Sequence, residues 1–364
     1  MSKSDFFKSD SLKSSQNLFL VSLFDSYRLQ YSAQKIVKEL YPMRKNFNFC
    51  KCGKVTISEL VELKRNPEYS RAYYNGVATC QHPALCPVCS ARIMSFRASE
   101  IASAVHSHLS DPDNTCYLLT LTFKHSLDDS LDSSISSMKK ALKKFWEDTA
   151  VKKAFSSCGR VGRITSFEVT YSRDYGWHPH EHILIFGKKM DADLKKTEKT
   201  LSKRWLYFLN KSGLEGLSGI ALDLVEARSC DKYLQKISSE MALLNTKQGR
   251  GAKNFTPFQI LEECYLGSKW AVKVFEELFK TTFGKVKWLT WSRGLKDHFA
   301  INEVSDADIV TNKADKLNLQ LFADIPAPVY RKLTFQDRAA LRLFASIGDQ
   351  DSFKQYIFSI SDLK

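Results

Sequence analysis

The stretch YGWHPHEHILIFGKK, from Tyr175 to Lys189, sets three of the chain's eight histidines at alternate positions: His178, His180 and His182. It then runs into the apolar segment Ile183 to Phe186. Alternation is the period of a β-strand, in which residues two apart share a face. His180 and His182 therefore point one way and Glu181 the other. The preceding segment RITSFEVTY, Arg163 to Tyr171, reads as a second strand, and the turn-forming SRDYGW between them makes a hairpin. With the turn centred near Asp174, Glu168 falls opposite His180 on the same face. Two imidazoles and one carboxylate then converge, leaving other coordination positions to water and substrate. Such a set suits Mg²⁺ or Mn²⁺, and its nitrogen ligands would also accept Zn²⁺ or Fe²⁺. A cupin-type site needs a carboxylate shortly after the H-x-H, and Ile183 to Lys189 offers none. An iron-oxygenase triad needs an acid where His182 stands. His178 reads as a flanking residue or a substrate contact.

The cysteines form a second cluster. FCKCG (Phe49 to Gly53) and CQHPALCPVC (Cys80 to Cys89) look like two halves of a zinc site. Cys86 and Cys89 form C-x-x-C, whose short turn places two thiolates on one metal, at the start of a helix that favours them. Cys52 and Cys80 are the expected second pair, with Cys50 and His82 as possible replacements. The remaining cysteines are scattered and read as packing residues. The run Asn17 to Phe24 is too short to span a bilayer, and no small-residue cleavage site follows it. A cytoplasmic location with reduced thiols and no membrane partner is therefore expected.

Lysine and arginine total 54 against 40 acids, a net charge of +14, which points to a polyanionic partner, nucleic acid first. Lys139, Lys140, Lys143 and Lys144 repeat on one helix face. A second basic stretch starts at Lys188 and Lys189 and runs to Arg204. These flank the histidine strand, where they would meet a DNA backbone, and Trp177 beside the histidines would stack on an unpaired base.

Around the hairpin, helix and strand patterns interleave. A helix is expected from about Val88 to Leu109, a buried strand at Cys116 to His125, and a basic amphipathic helix at Ile135 to Phe155. A helix at Ala192 to Leu209, a strand at Gly219 to Ala227 and a helix at Cys230 to Leu244 come next. A helix at Pro257 to Lys280 and a strand at Lys285 to Ser292 complete the body. The short hairpin turn argues for a central antiparallel sheet with flanking helices, hence an α+β fold. Four regions follow: an N-terminal basic segment (1–47), the zinc-binding region and its helix (48–110), the domain holding the histidine strand (111–300) and a helical C-terminal tail (301–364).

HPHEHILI is similar to the H-u-H motif (u, hydrophobic) of the HUH endonucleases. It looks most like that of the one-tyrosine rolling-circle replication initiators of small plasmids. Glu181 departs from the hydrophobic middle residue. LLTLTF (Leu118 to Phe123) resembles the family's first motif, KYLQK (Lys232 to Lys236) its Y-x-x-K motif, and LTWSRGL (Leu289 to Leu295) a late strand and turn, all in family order over roughly residues 50 to 300. Related initiators show a similar CG…C…CPxC arrangement.

The resemblance implies the HUH fold over residues 111–300 and cleavage of one strand at a plasmid origin. Tyr233 becomes the nucleophile, forming a 5′-phosphotyrosine link and leaving a free 3′-OH for a host polymerase. A phenol, with a pKa of about 10, needs help at neutral pH. The metal and Lys236, one helical turn away, would supply it. The link conserves the phosphodiester's energy, so rejoining needs no ATP, and no phosphate-binding G-x-x-x-x-G-K-[ST] occurs in the chain. A host helicase is then a partner, and a homodimer stays open. Plasmid initiators often place a glutamate four residues before the tyrosine to end replication. Ser229 stands there, so Glu226, Asp231 and Glu240 are the substitutes. The closest rival is a rolling-circle transposase, but those often carry two tyrosines in the last motif, where this chain has one. A rival of another class is a non-catalytic zinc-containing DNA-binding regulator, which would not need the metal-and-tyrosine set.

Overall fold

The computed structural model describes residues 15–42, 48–68, 70–156, 158–190, 194–227, 254–311 and 318–361. The chain forms two compact units. One comprises Met1–His82, Cys86–Ile93 and Val304–Lys364; the other comprises Pro83–Leu85 and Met94–Glu303. Among the described residues no helix is long and apolar enough to cross a membrane.

The first unit contains a three-stranded antiparallel sheet in the order β2 (Arg71–Asn75), β1 (Leu60–Asn66), β9 (Gln320–Pro326). Helices Ser15–Leu40, Phe335–Ile347 and Gln350–Ser361 belong to the same unit. Tyr27, Val61, Leu63, Tyr74, Ile325, Tyr330, Leu341 and Phe344 share one core. The C-terminal residues are thus not the separate helical tail expected from 301 onward. β9 completes the sheet begun by β1, and Phe335–Ile347 buries its apolar face on it. The helix starts at a capping box, in which Thr334 and Asp337 satisfy each other's backbone N–H groups.

The second unit is built on a six-stranded antiparallel sheet. Its strands are β3 (Asn114–Leu121), β4 (Gly162–Ser172), β5 (Gly176–Lys188), β6 (Leu222–Ala227), β7 (Asn254–Phe255) and β8 (Leu289–Trp291). The order is β6-β3-β5-β4-β7, and β8 also pairs with β4. Helices flank the antiparallel sheets, so the fold class is α+β as expected. Ile183, Leu184, Ile185 and Phe186 of β5 are all fully buried, which explains an unbroken apolar run in a central strand covered on both faces. The expected helix Ile135 to Phe155 is two helices, Leu131–Glu147 and Thr149–Ala154. Asp148 separates them: it ends the first and caps the second by accepting from Val151 N. The helix expected over Pro257 to Lys280 likewise divides into Pro257–Tyr265 and Lys269–Thr282, with Gly267 at φ +88° between them. The helix expected at Cys230 to Leu244 lies outside the described residues.

The β4–β5 hairpin sets the register. Ser172 pairs with Gly176, Glu168 with His180 and Ser166 with His182. Gly176 has φ +75°, and a Cβ there would lie 2.5 Å from the Ser126 carbonyl oxygen, so both the turn and the close approach require glycine. A one-residue slip would send both histidines to the opposite face.

Candidate metal centres

Glu168, His180 and His182 come together as the register dictates, with their ligand atoms within 4.8 Å of one another. His180 Nε2 lies 3.0 Å from Glu168 Oε2, and His182 Nε2 lies 3.6 Å from the same oxygen. Burial acts to raise the Glu168 carboxyl, but hydrogen bonds from the two imidazoles outweigh it and hold the group well below the usual carboxylate range. The outer ring nitrogens are also engaged. His182 Nδ1 is 3.1 Å from Thr120 Oγ1, and His180 Nδ1 is 3.3 Å from the His178 carbonyl. A carbonyl only accepts, so His180 Nδ1 carries a proton, and Nε2 would be its ligand atom once the proton it shares with Glu168 is displaced. Three donors on one face, with no further protein ligand in the group, could hold a metal ion and keep positions open for an oxygen substrate.

His178 stands outside this set. Its Nε2 is 2.6 Å from Thr122 Oγ1, and its ring stacks on His125 with centroids 4.7 Å apart. Burial, with the neighbouring imidazoles, pushes its pKa down to about 3, so it is neutral at any physiological pH. Thr120 and Asp223 were not singled out from sequence. Thr120 pairs with His182 on one side and with Asp223 on the other, so all three share a face. Only their strand pairing reveals this.

Three other expected site residues are placed elsewhere. Glu226 pairs with Tyr117 and accepts from Thr115 Oγ1 at 3.1 Å. Strand alternation therefore turns it to the face opposite the histidines, about 10 Å along β6 from Asp223. The structure does not bring it to the metal-ligand face. Trp177 is 2% exposed and donates its Nε1–H to Glu277 at 2.9 Å. It packs edge-on to Tyr171 and is closed to base stacking, which corrects the expectation from sequence. Lys188 and Lys189 are exposed, but they sit beside Asn114, six residues along β5 from His182, or about 20 Å away. Lys189 Nζ donates to the Pro112 carbonyl. Tyr233 and Lys236 lie outside the described residues.

In the first unit Cys52, Cys80, Cys86 and Cys89 form one group. The Sγ separations are 3.8 Å for Cys52–Cys86, 3.5 Å for Cys52–Cys89 and 3.8 Å for Cys80–Cys89. Four sulfurs about 2.3 Å from a tetrahedral zinc would stand about 3.8 Å apart, whereas a disulfide needs about 2.05 Å. The cluster therefore fits one metal and not two disulfides. Gly53, at φ +69°, turns the chain directly after Cys52, and Cys86 and Cys89 stand at the start of helix Pro87–Leu109. Hydrogen bonds from the other three thiols hold Cys89 well below the ordinary thiol range, while burial raises Cys80. Cys50 and His82, the alternatives considered from sequence, are not part of the group.

Residues 72–212 match the family model described as a replication protein. The chain is also similar to a protein described as "Protein rep" from Streptomyces lividans, with 24% identity over 320 residues, covering 68% of each chain. No solved structure matches it. The matched region holds Cys80, Cys86, Cys89, β3 and the whole β4–β5 hairpin. Over residues 72–212 the chain is thus similar to replication proteins, and together these matches support a rolling-circle plasmid replication initiator.

Proposed function

We propose that this initiator is an origin-specific nickase and strand transferase that uses a tyrosine nucleophile and a divalent cation. The observation that carries the reading is the convergence of Glu168, His180 and His182 on one strand face within the replication-protein match. A Mg²⁺ or Mn²⁺ ion held there would act as Lewis acid on the scissile phosphate. The chain's own residues do the rest. Glu168 and the Nε2 atoms of His180 and His182 would hold that ion, and Thr120 fixes the His182 ring. His178, kept neutral, adds no competing charge. Tyr233 attacks phosphorus as its phenol proton passes to solvent, the P–O3′ bond breaks as the phosphorus–phenol bond forms, and the 3′-oxygen takes a proton from water to leave as the 3′-OH. Lys236 offsets charge on the phosphate or phenolate. Plasmid origin DNA, single-stranded or extruded as a hairpin, is the substrate, and host helicase and polymerase extend the product. The resemblance to the HUH endonucleases and the order of the four motifs support these assignments.

Cys52, Cys80, Cys86 and Cys89 would hold a structural Zn²⁺, which closes the knuckle between residues 52 and 89. A nicking assay on supercoiled plasmid carrying the origin tests the reading. Strand-specific, metal-dependent nicking with protein attached to the 5′ end is expected. Tight origin binding without any nick would favour the DNA-binding regulator instead.

A further inference from the structure

Arg92, Arg338 and Arg342 of the first unit are 5%, 7% and 6% exposed. Among the described residues none of the three pairs with a carboxylate. Arg92 Nη1 donates to the Val310 carbonyl at 2.7 Å, but its Nε and Nη2 are buried without a partner, as is Arg338 Nε. Arg342 Nε donates to the Ala72 carbonyl at 2.5 Å, and the rest of their company is aromatic. Arg92 lies 4.7 Å from the Tyr73 ring centre, Arg342 lies 5.1 Å from the same ring, and Arg338 lies 5.0 Å from that of Tyr330. Cation–π contact returns only part of the cost of burying a guanidinium. The phenols are not counter-ions, because burial pushes both Tyr27 and Tyr330 up and keeps them neutral. Burial pulls Arg92 down to about 10, so it remains a cation at neutral pH. Three buried positive charges require a negative one.

The cavity lined by Arg92 and Arg342 decides where that charge lies. It is about 40 Å³ in volume, and Arg92, Arg342, Tyr27, Tyr73, Cys52 and Cys89 are among its lining residues. It has room for a few waters and none for a nucleotide. Among the described residues, the charge can come only from the wall. Four thiolates on one divalent cation carry a net charge of two minus, and Cys52 and Cys89 present that group to the cavity. Arg92 follows Cys89 by three residues on helix Pro87–Leu109, which places them on the same face. Gln30 adds two donors: its Nε2 lies 3.3 Å from Cys52 Sγ and 3.2 Å from Cys86 Sγ.

We infer that Arg92, with Arg338 and Arg342, is the built-in counter-charge of a metal tetrathiolate at Cys52, Cys80, Cys86 and Cys89, with Gln30 as its hydrogen-bond donor. This rests on the zinc reading above and extends it to residues that touch no metal. Two of the arginines come from helix Phe335–Ile347, so metal retention depends on the C-terminal segment that completes the first unit.

The test uses the full chain, with zinc affinity measured by competition against a chromophoric chelator. Thermal midpoints are read with and without zinc. Arg92→Gln should weaken zinc binding roughly 10- to 100-fold, and Arg92→Lys should recover part of the loss. The metal-free Arg92→Gln protein should melt no lower than metal-free wild type, because an uncompensated cation has gone. Where Arg92→Gln fails to fold, Arg338→Gln supplies the same comparison. Wild-type zinc affinity in the variant, with its midpoint lowered equally in loaded and metal-free protein, would show a packing role only and overturn the inference while the zinc site stands. A wild-type chain that binds no zinc overturns both.

Discussion

His182 Nδ1 and Thr120 Oγ1 face each other at 3.1 Å across the β3–β5 ladder, and this contact orients the ring whose other nitrogen points at Glu168. Outer partners of this kind govern how well a histidine binds metal. Thr120→Val keeps the shape and removes the hydroxyl. Mn²⁺ affinity, read by calorimetry, should fall roughly tenfold with the fold intact. His180→Ala and His182→Ala should abolish nicking, and Glu168→Ala should weaken metal dependence more than DNA affinity. Nicking by the double histidine variant in excess chelator would place the metal elsewhere.

The covalent step can be located directly. Tyr233→Phe removes one hydroxyl, so origin binding should persist while nicking of a single-stranded origin oligonucleotide stops. Mass spectrometry of the trapped peptide–nucleotide adduct should identify Tyr233. An adduct on the exposed Tyr175 would sink the assignment. Lys236→Ala should slow the reaction without ending it.

One structural Zn²⁺ per chain is expected from elemental analysis. Cys89→Ser should lose it and lower the stability of the first unit, because ligand binding and folding are coupled there. Folded, active protein free of zinc would falsify the site.

Glu181 faces away from Glu168, His180 and His182, and burial raises its carboxyl from 4.5 to about 7, against the pull of Arg163 and Lys139. Between those values the folded chain binds the proton more tightly than the unfolded chain. Stability therefore falls as pH rises from about 4.5 to 7 and stays lower above. Glu181→Gln removes that cost. Its stability gain in denaturant titrations should approach at most about 3 kcal/mol at pH 8 and vanish near pH 4. A gain independent of pH would mean that the carboxyl is not buried as described.

Trp177 is a packing residue whose Nε1–H meets Glu277. Trp177→Phe should cost about 1 kcal/mol for the lost hydrogen bond, and Trp177→Ala about 3–5 kcal/mol for the cavity. Single-stranded DNA affinity of the folded Phe variant, measured by fluorescence anisotropy, should equal wild type. A marked loss would restore the stacking role.

Local chemistry was enough to read the hairpin, its shared face of Glu168, His180 and His182, and the C-x-x-C turn from the sequence. Strand alternation and a turn centred near Asp174 place Glu168 opposite His180 with no knowledge of the remaining chain, and C-x-x-C brings two sulfurs together by itself. What depended on distant pairing was decided only by the tertiary structure. Trp177 reads as a base-stacking residue until Glu277, 100 residues later, takes its N–H. Glu226 reads as an inward acid until its pairing with Tyr117 gives it a face. The sequence favours Cys52 and keeps Cys50 as a replacement, and the turn at Gly53 brings only Cys52 to the other sulfurs. The C-terminal segment looks like a tail because β9 is short and ends in proline. It gains its place only by pairing with β1, more than 250 residues earlier in the chain. Periodicity and turn chemistry act over a few residues and so survive in the bare sequence. Which face meets which partner is set by burial and hydrogen bonding across the fold, and those exist only once it has formed.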